Sequence, residues 1–335
     1  MTPPRNLSAK GGPISTKSQK SRGGVTPLQE NILFLKTIEK RLDSGGVLSP
    51  QAEAEDLVRH FGRIGRVDFF AGEKTLRRSA KKKIDWALRT RLKGTPLSYI
   101  LKERSFSGLD FFISPDVLIP RPETEVLLEE ALKILNTYYK CHPRARQIDG
   151  PTVFLAGAGM TANGPEILEI GTGSGCIAVS LTCERPDCRM TALDISSAAL
   201  RIARKNLYLH GLQKKIRLVK SDLFGAFYLR RKESWDVIVS NPPYVPEEDI
   251  PGLPREVRKE PRLALDGGHE GTRVIDSILE QAPGFLKEGG WLLMEIGAGQ
   301  SEVLRENILR NKKYKNLSFI KDATGINRVL RVQKE

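Results

Sequence analysis

The segment Glu166-Ile-Leu-Glu-Ile-Gly-Thr-Gly-Ser-Gly175 constrains the fold more than any other part of this chain. A short apolar run enters a turn with glycine at every second position, and a helical pattern follows from Cys176 to about Cys183. Strand, glycine turn and helix in that order open a doubly wound α/β sheet, where a ligand lies beyond the carboxyl ends of the strands. The remainder of the C-terminal half agrees. Strands are expected at 167–170, 189–195, 216–221, 235–240 and 291–296, with helical patterns between them. Ser196 and Gly211 bound one helix as N-cap and C′ residue. The runs 317–321 and 328–332 have no helix between them, so they are expected to close one edge as an antiparallel pair. The expected class is α/β, a mostly parallel seven-stranded sheet.

A chain of 335 residues has room for one more domain. Residues 1–27 are rich in Ser, Gly, Pro and Lys and contain no acid, which predicts a disordered basic tail. They hold no apolar signal core, and organellar targeting is the lesser reading beside a cytoplasmic protein. Residues 28–94 read as a small helical domain. Leu28, Ile32, Leu35, Ile38 and Leu42 recur at helical spacing up to Gly45-Gly46, Ser49-Pro50 starts a second helix, and Ile84, Leu88 and Leu92 mark a later one. Phe106, Gly108, Phe111 and Phe112 predict a hairpin within a linker at 95–120. From 121 onward the α/β domain begins, with a helix expected over 126–135 and an irregular insertion at 136–165.

Charge and cysteines exclude several classes. The net charge is +14, and residues 1–94 carry 20 basic against 9 acidic groups, or +11 of it. That excess suits either an acidic partner, nucleic acid included, or a solvated face, and no aromatics alternate with these charges as a stacking platform requires. No apolar run is long enough to span a bilayer. Cys141, Cys176, Cys183 and Cys188 form no CxxC pair and read as reduced thiols. His60, His142, His210 and His269 are scattered, so no metal site is expected.

The glycine turn carries the first chemical signal. Gly171, Thr172, Gly173 and Gly175 let a ligand lie against backbone. Asp194 follows Gly175 by nineteen positions, the spacing at which an acid meets ribose hydroxyls, or it caps the helix after Ser196. A dinucleotide fingerprint wants glycine at position 176, where this chain has Cys. Glu169 stands two residues before the turn; an acid there repels a pyrophosphate and suits a cation. S-adenosylmethionine carries a sulfonium and an ammonium group and no phosphate, so it is favoured over NAD. Asp222 ends the third strand and can accept from an adenine amino group, with Leu223 and Phe224 against the ring.

The second signal is Trp235-Asp-Val-Ile-Val-Ser-Asn-Pro-Pro-Tyr244, a core strand that runs straight into Asn241-Pro242-Pro243-Tyr244. Two prolines fix φ and remove two donors, leaving carbonyls free to accept. The Asn241 amide oxygen and the Pro242 carbonyl can grip both hydrogens of a planar –NH₂ group, with Tyr244 as a flat wall. Such a cradle suits a poor nitrogen nucleophile, which it aims at a methyl group and makes more electron-rich.

At this point the chain resembles the PrmC/HemK class of S-adenosylmethionine-dependent protein-glutamine N5-methyltransferases, over roughly residues 28 to 333. The resemblance rests on Pro96-Leu-Ser-Tyr-Ile, Val117-Leu-Ile-Pro-Arg-Pro-Glu-Thr-Glu125, the Glu169–Gly175 loop, Ala192-Leu-Asp-Ile, Ser221-Asp-Leu-Phe, Ser240-Asn-Pro-Pro-Tyr244, Glu260-Pro-Arg-Leu-Ala-Leu and Asp322-Ala-Thr-Gly-Ile-Asn-Arg-Val. It implies a Rossmann-like class I methyltransferase domain acting on the glutamine of the Gly-Gly-Gln motif in peptide chain release factors. It also implies a helical N-terminal domain that docks the factor, and Arg121 near donor or substrate backbone. Pro120 and Pro122 hold the Arg121 segment extended ahead of a helix, whose dipole alone accounts for Glu123 and Glu125. A monomer is expected. The alternative activity is amino methylation of nucleic acid or of a ribosomal-protein glutamine, because the Asn-Pro-Pro-Tyr motif is shared more widely; a base modifier would need a reading domain or flipping pocket.

Overall fold

The computed structural model describes residues 26–71, 75–140, 164–228 and 234–335. The expected tail over residues 1–25 and most of the expected insertion, 141–163, lie outside the described residues, as do Cys141 and His142. The chain divides into two compact units, one ending at Leu88 and the other spanning Arg89–Glu335.

The first unit is helical. Helix α1 (Pro27–Ser44) starts at a capping box, in which the Thr26 hydroxyl accepts from the Gln29 amide at 3.2 Å and Gln29 answers at 2.9 Å. It packs against α2 (Pro50–Gly62) and α3 (Arg66–Ala71), and α4 (Arg78–Leu92) follows. The expected apolar positions Leu35, Ile38, Leu42, Leu57, Ile84 and Leu88 are buried. Helix α3 was not anticipated: at six residues it is too short for helical periodicity to register.

The second unit begins with α5 (Leu97–Leu101), again too short to be read from the sequence, inside the segment expected to be a linker. The expected hairpin follows as β1 (Glu103–Phe106) and β2 (Leu109–Phe112), antiparallel across Ser107-Gly108. Helix α6 runs Thr124–Lys140, two residues earlier and five later than its expected 126–135, so 136–140 is helix rather than insertion. Strand β3 (Glu166–Ile170) leads through the glycine turn to α7 (Cys176–Glu184), then β4 (Arg189–Asp194), α8 (Ser197–Leu209), β5 (Ile216–Lys220) and β6 (Trp235–Ser240). Helix α9 (Arg273–Gln281), β7 (Leu286–Glu295), α10 (Ser301–Asn311), β8 (Tyr314–Lys321) and β9 (Asn327–Lys334) complete it. Strand β7 begins five residues before expectation, because the Gly289-Gly290 pair continues the strand beside a register shift against β6.

The seven strands lie in the order β5-β4-β3-β6-β7-β9-β8. Pairs from β5 to β7 are parallel, while β7–β9 and β9–β8 are antiparallel, the last being the expected closing pair. The chain winds outward from β3 through β4 to β5, then crosses back to lay β6 on the other side of β3. That reversal opens a crevice beyond the carboxyl ends of β3 and β6. Apolar residues fill both faces in strict alternation: Ile167, Val237, Val239 and Leu293 on one, Leu168, Ile238, Leu292 and Met294 on the other.

Asn206 of α8 is fully buried and joins three segments. Its side chain accepts from the Phe112 amide at 2.7 Å and donates to the Phe112 carbonyl at 3.0 Å and the Ser174 carbonyl at 2.8 Å. It ties the hairpin to the glycine turn. Asn206→Ala strands three buried backbone groups, each worth about 1–3 kcal/mol. The substitution is expected to cost at least about 3 kcal/mol in urea unfolding, and a midpoint close to wild type would remove Asn206 from this role.

Candidate active site

The first wall of the crevice is the turn after β3. Gly171 takes φ +73°, a left-handed value that an L side chain resists, and the Asn241 carbonyl lies 4.0 Å from where its Cβ would sit. The Thr172 amide donates to the Leu193 carbonyl at 2.8 Å, which pins the turn to the end of β4. Gly175 differs from the others. At φ +83° its absent Cβ would meet Ala203 of α8 at 3.4 Å, and Gly175 is not part of the cavity wall. The left-handed φ by itself accounts for glycine here, since a Cβ at 3.4 Å from Ala203 would be in ordinary van der Waals contact.

The carboxylates come next. Asp194 serves both oxygens to backbone: Oδ2 accepts from Gly173 at 2.9 Å and Oδ1 from Ser196 at 2.8 Å. The expected N-cap itself holds, with the Ser196 hydroxyl accepting from Ala199 at 3.2 Å. Asp194 therefore braces the turn against α8 while its edge remains on the cavity. Burial raises its pKa, opposed by those two amides. Glu169 is 1% exposed, and Oε2 accepts from the Thr172 hydroxyl at 2.7 Å and the Ala178 amide at 3.1 Å. Burial pushes its carboxyl up to about 8 despite both hydrogen bonds, so the acid is mostly neutral at pH 7. Asp222 is exposed on the cavity wall beside Leu223, which sits at φ +43°. Phe224 does not join them: it is fully buried and stacks on Phe285 at 4.5 Å on the far face of the sheet.

The opposite wall is the segment after β6. The Ser240 hydroxyl donates to the Ile170 carbonyl at 2.9 Å and locks the two strand ends together. Asn241 donates through Nδ2 to the Thr124 hydroxyl at 3.1 Å, which leaves Oδ1 as the free end of the side chain. Asn241, Pro242 and Pro243 all line the cavity. Among the described residues no protein donor reaches Asn241 Oδ1 or the Pro242 carbonyl. Tyr244 is not on the wall. It packs into the apolar layer of the other face and donates to Glu295 Oε1 at 3.1 Å, while its carbonyl accepts from Gln300 at 3.0 Å. Arg121 is not on the wall either; it is ion-paired with Glu260, whose second oxygen accepts from the Ile119 amide at 3.0 Å.

Sequence reasoning missed the roof. Asp116, Val117, Leu118 and Pro120 enclose one side, and Pro261, Leu263 and Ala264 another, with Leu263 58% exposed at the rim. The signal was present in the Val117–Pro120 and Glu260–Leu265 motifs, to which the residue-level reading assigned no chemistry. The lining carries Asp116, Glu169, Asp194 and Asp222 and no Lys, Arg or His. Such a cavity disfavours phosphate and favours a cation.

Comparison with known proteins decides the family. Residues 34–101 match the PrmC N-terminal domain and residues 144–252 the Methyltransferase small domain. The "Release factor glutamine methyltransferase" of Moorella thermoacetica is 36% identical over 86% of this chain and 93% of its own length. That of Chlorobaculum tepidum is 36% identical over 91% and 95%. This chain belongs to the release factor glutamine methyltransferase family. A solved protein-(glutamine-N5) methyltransferase (release factor-specific) from Alicyclobacillus acidocaldarius is 27% identical over 67% of this chain and 99% of that one, with a TM-score of 0.38. The sheet of this family member is a class I methyltransferase sheet, as the resemblance implied. Among the described residues no group of three or more His, Cys, Asp or Glu could hold a metal, and no helix is long and apolar enough to cross a membrane.

Gly175→Ala is expected to destabilise the fold by roughly 1–2 kcal/mol through its left-handed φ alone. A thermal or urea unfolding curve indistinguishable from wild type would overturn the need for a left-handed backbone at this position.

Proposed function

We propose that this enzyme moves a methyl group from S-adenosylmethionine to the side-chain amide nitrogen (N5) of the glutamine in the Gly-Gly-Gln motif of peptide chain release factors. The observation that carries the reading is the pair of free acceptors, Asn241 Oδ1 and the Pro242 carbonyl, at the wall facing the glycine turn. The relatives' names supply the substrate class.

The cavity fits such a donor. Glycines at 171 and 173 leave backbone open to it, Asp194 and Asp222 offer acceptors for hydroxyl and amino groups, and no basic side chain competes. When bound, the donor supplies an electrophilic methyl on a positively charged sulfur. The chain's own residues do the rest. Asn241 and Pro242 accept the two N–H groups of the glutamine amide, orient its nitrogen and draw electron density onto it as the bond forms. The proton leaves once the nitrogen has gained the methyl and become acidic, so no strong base is needed. Tyr244 contributes by fixing the segment through Glu295 rather than by walling the substrate. Arg121 acts through Glu260 on the roof segment. The helical N-terminal unit is the proposed docking surface for the factor. The expected compartment is the cytoplasm, where Cys176, Cys183 and Cys188 stand as free thiols.

The decisive experiment gives the protein labelled S-adenosylmethionine with a release factor, the same factor with Gln of the motif replaced by Ala, and nucleic acid. Label is expected only on the intact factor; label on nucleic acid would move the activity to the amino-methylating alternative. Asn241→Ala removes one acceptor and is expected to lower kcat by roughly 10²–10³ with donor affinity within a few-fold of wild type. A collapse of donor affinity in isothermal titration would contradict this assignment.

Glu169 sets a pH dependence. Below pH 8 its carboxyl holds a proton, and a cation alongside favours the ionised form, so donor binding expels that proton. Donor affinity is expected to rise between about pH 6 and 8 and then level off. Glu169→Gln is expected to bind more weakly and with no such slope; a wild-type affinity that is flat over this range would separate Glu169 from the donor.

A further inference from the structure

Leu223 holds a backbone conformation that leucine avoids. Its φ is +43°, and for a bulky residue a left-handed φ is a genuine outlier. Among the described residues five other non-glycine residues share that region, and Arg63, Lys102 and Lys312 end helices there. Leu223 is the only apolar member of the set and the only one on the wall of the cavity. The turn itself calls for glycine. The Gly225 amide donates to the Asp222 carbonyl at 2.9 Å, and Phe224 takes φ −82° and ψ 2°. Positive φ followed by negative φ across a closed four-residue turn is the type II′ pattern, whose first central position is dominated by glycine. A glycine there would be free of strain and would offer the cavity no side chain.

The left-handed step breaks an alternation. In extended chain, consecutive side chains point to opposite faces. Here Asp222 and Leu223 both line the cavity, while Phe224 is fully buried in the far layer against Phe285. Two neighbouring side chains, one acidic and one apolar, thus reach the same space. Strained residues persist only where their surroundings over-determine them, and they gather at ligand sites.

Those surroundings centre on one hydroxyl. Ser221 is 6% exposed, and its amide donates to the Asp194 carbonyl at 3.1 Å, which carries the β4–β5 pairing one residue further. Its Oγ donates to the Leu223 carbonyl at 2.7 Å and accepts from the Ala226 amide at 3.0 Å. One side chain fixed to the sheet therefore grips the turn on both sides of Phe224. The first bond sets the peptide that follows Leu223, and the second keeps the turn from opening. We infer that Ser221 is a positioning residue for the donor: its hydroxyl holds Leu223 left-handed, so that Asp222 meets the amino edge of the adenine and Leu223 its face. This deepens the proposed donor site and rests on it.

The test measures binding rather than turnover, by isothermal titration of the full-length protein. The probes are S-adenosylhomocysteine and the same compound with hydrogen in place of the adenine amino group. Wild type is expected to prefer the amino compound by about tenfold, the worth of one hydrogen bond to an ionised acceptor. Ser221→Ala is expected to cut that preference below about threefold and to weaken the amino compound by about tenfold. Ser221→Thr keeps the hydroxyl and is expected to restore the preference. Ser221→Cys is close to serine in size with a far weaker hydrogen-bonding group; it replaces Ser221→Ala should that variant not fold, and the same loss is expected. In the Asp222→Ala background, Ser221→Ala is expected to change the preference by less than about twofold, because both act on one contact. A turn that only supports the fold would weaken both compounds alike and leave their ratio untouched. An unchanged ratio in Ser221→Ala would therefore overturn the inference, as would equal binding of the two compounds by wild type. Without ligand, the Ala226 amide is expected to exchange its hydrogen faster in Ser221→Ala, and unchanged exchange would also overturn it. A wild type that binds neither compound sinks the donor reading, and the inference with it; a wild-type preference that survives in Ser221→Ala sinks the inference alone.

Discussion

The pairing of β3 with β6 is the constraint on which the rest of the second unit depends. Two strands far apart in sequence are set side by side with Ile170 opposite Ser240, and the Ser240 hydroxyl fastens that register. The glycine turn and the Asn241 segment leave the sheet from those two ends. A slip of one residue would turn Asn241 to the other face, because side chains alternate with period two. The crevice is thus a consequence of the chain's reversal at β3 and of one register.

Polar groups enter this site at a cost and are arranged to limit it. Three apolar columns on one face of the sheet end in a polar group: Glu169 after Ile167, Asn241 after Val239, Glu295 after Leu293. Burial is the main force driving the two carboxyls toward their neutral forms, with smaller pushes from Asp194 on Glu169 and Glu123 on Glu295. Thr172 and Ala178 partly offset this at Glu169, and Thr124 and Tyr244 at Glu295. The result is a cavity wall that carries acidic and no basic side chains, with Asn241 Oδ1 left free to accept. That bias suits a cationic ligand and an amide nitrogen, and gives nothing to a phosphate.

Much of this was legible in the sequence. Strand positions, the antiparallel closing pair and the Ser196 cap followed from periodicity and turn chemistry, which are local. Glu169, Gly171, Gly173, Asp194, Asp222, Asn241 and Pro242 do line one cavity, because strand ends in a parallel sheet must gather at one edge. Helices α3 and α5 escaped notice because they are shorter than two turns. Phe224, Tyr244 and Arg121 were expected at the ligand and are found packing or ion-pairing instead. Which side of a turn a ring or guanidinium chooses depends on what else has filled the space, and that is set by residues distant in sequence.

The sequence by itself determined the class of sheet, the two ligand-facing turns and the chemistry their residue types can perform, since backbone propensities and alternation act over a few residues. Only the tertiary structure decided which groups support those turns. Asp194 serves two amides, Glu260 holds Arg121, and Glu295 accepts from Tyr244 across 51 positions of chain. Contacts of that kind arise when the apolar faces close. Packing then selects among many possible polar partners, and nothing in the local pattern ranks them beforehand.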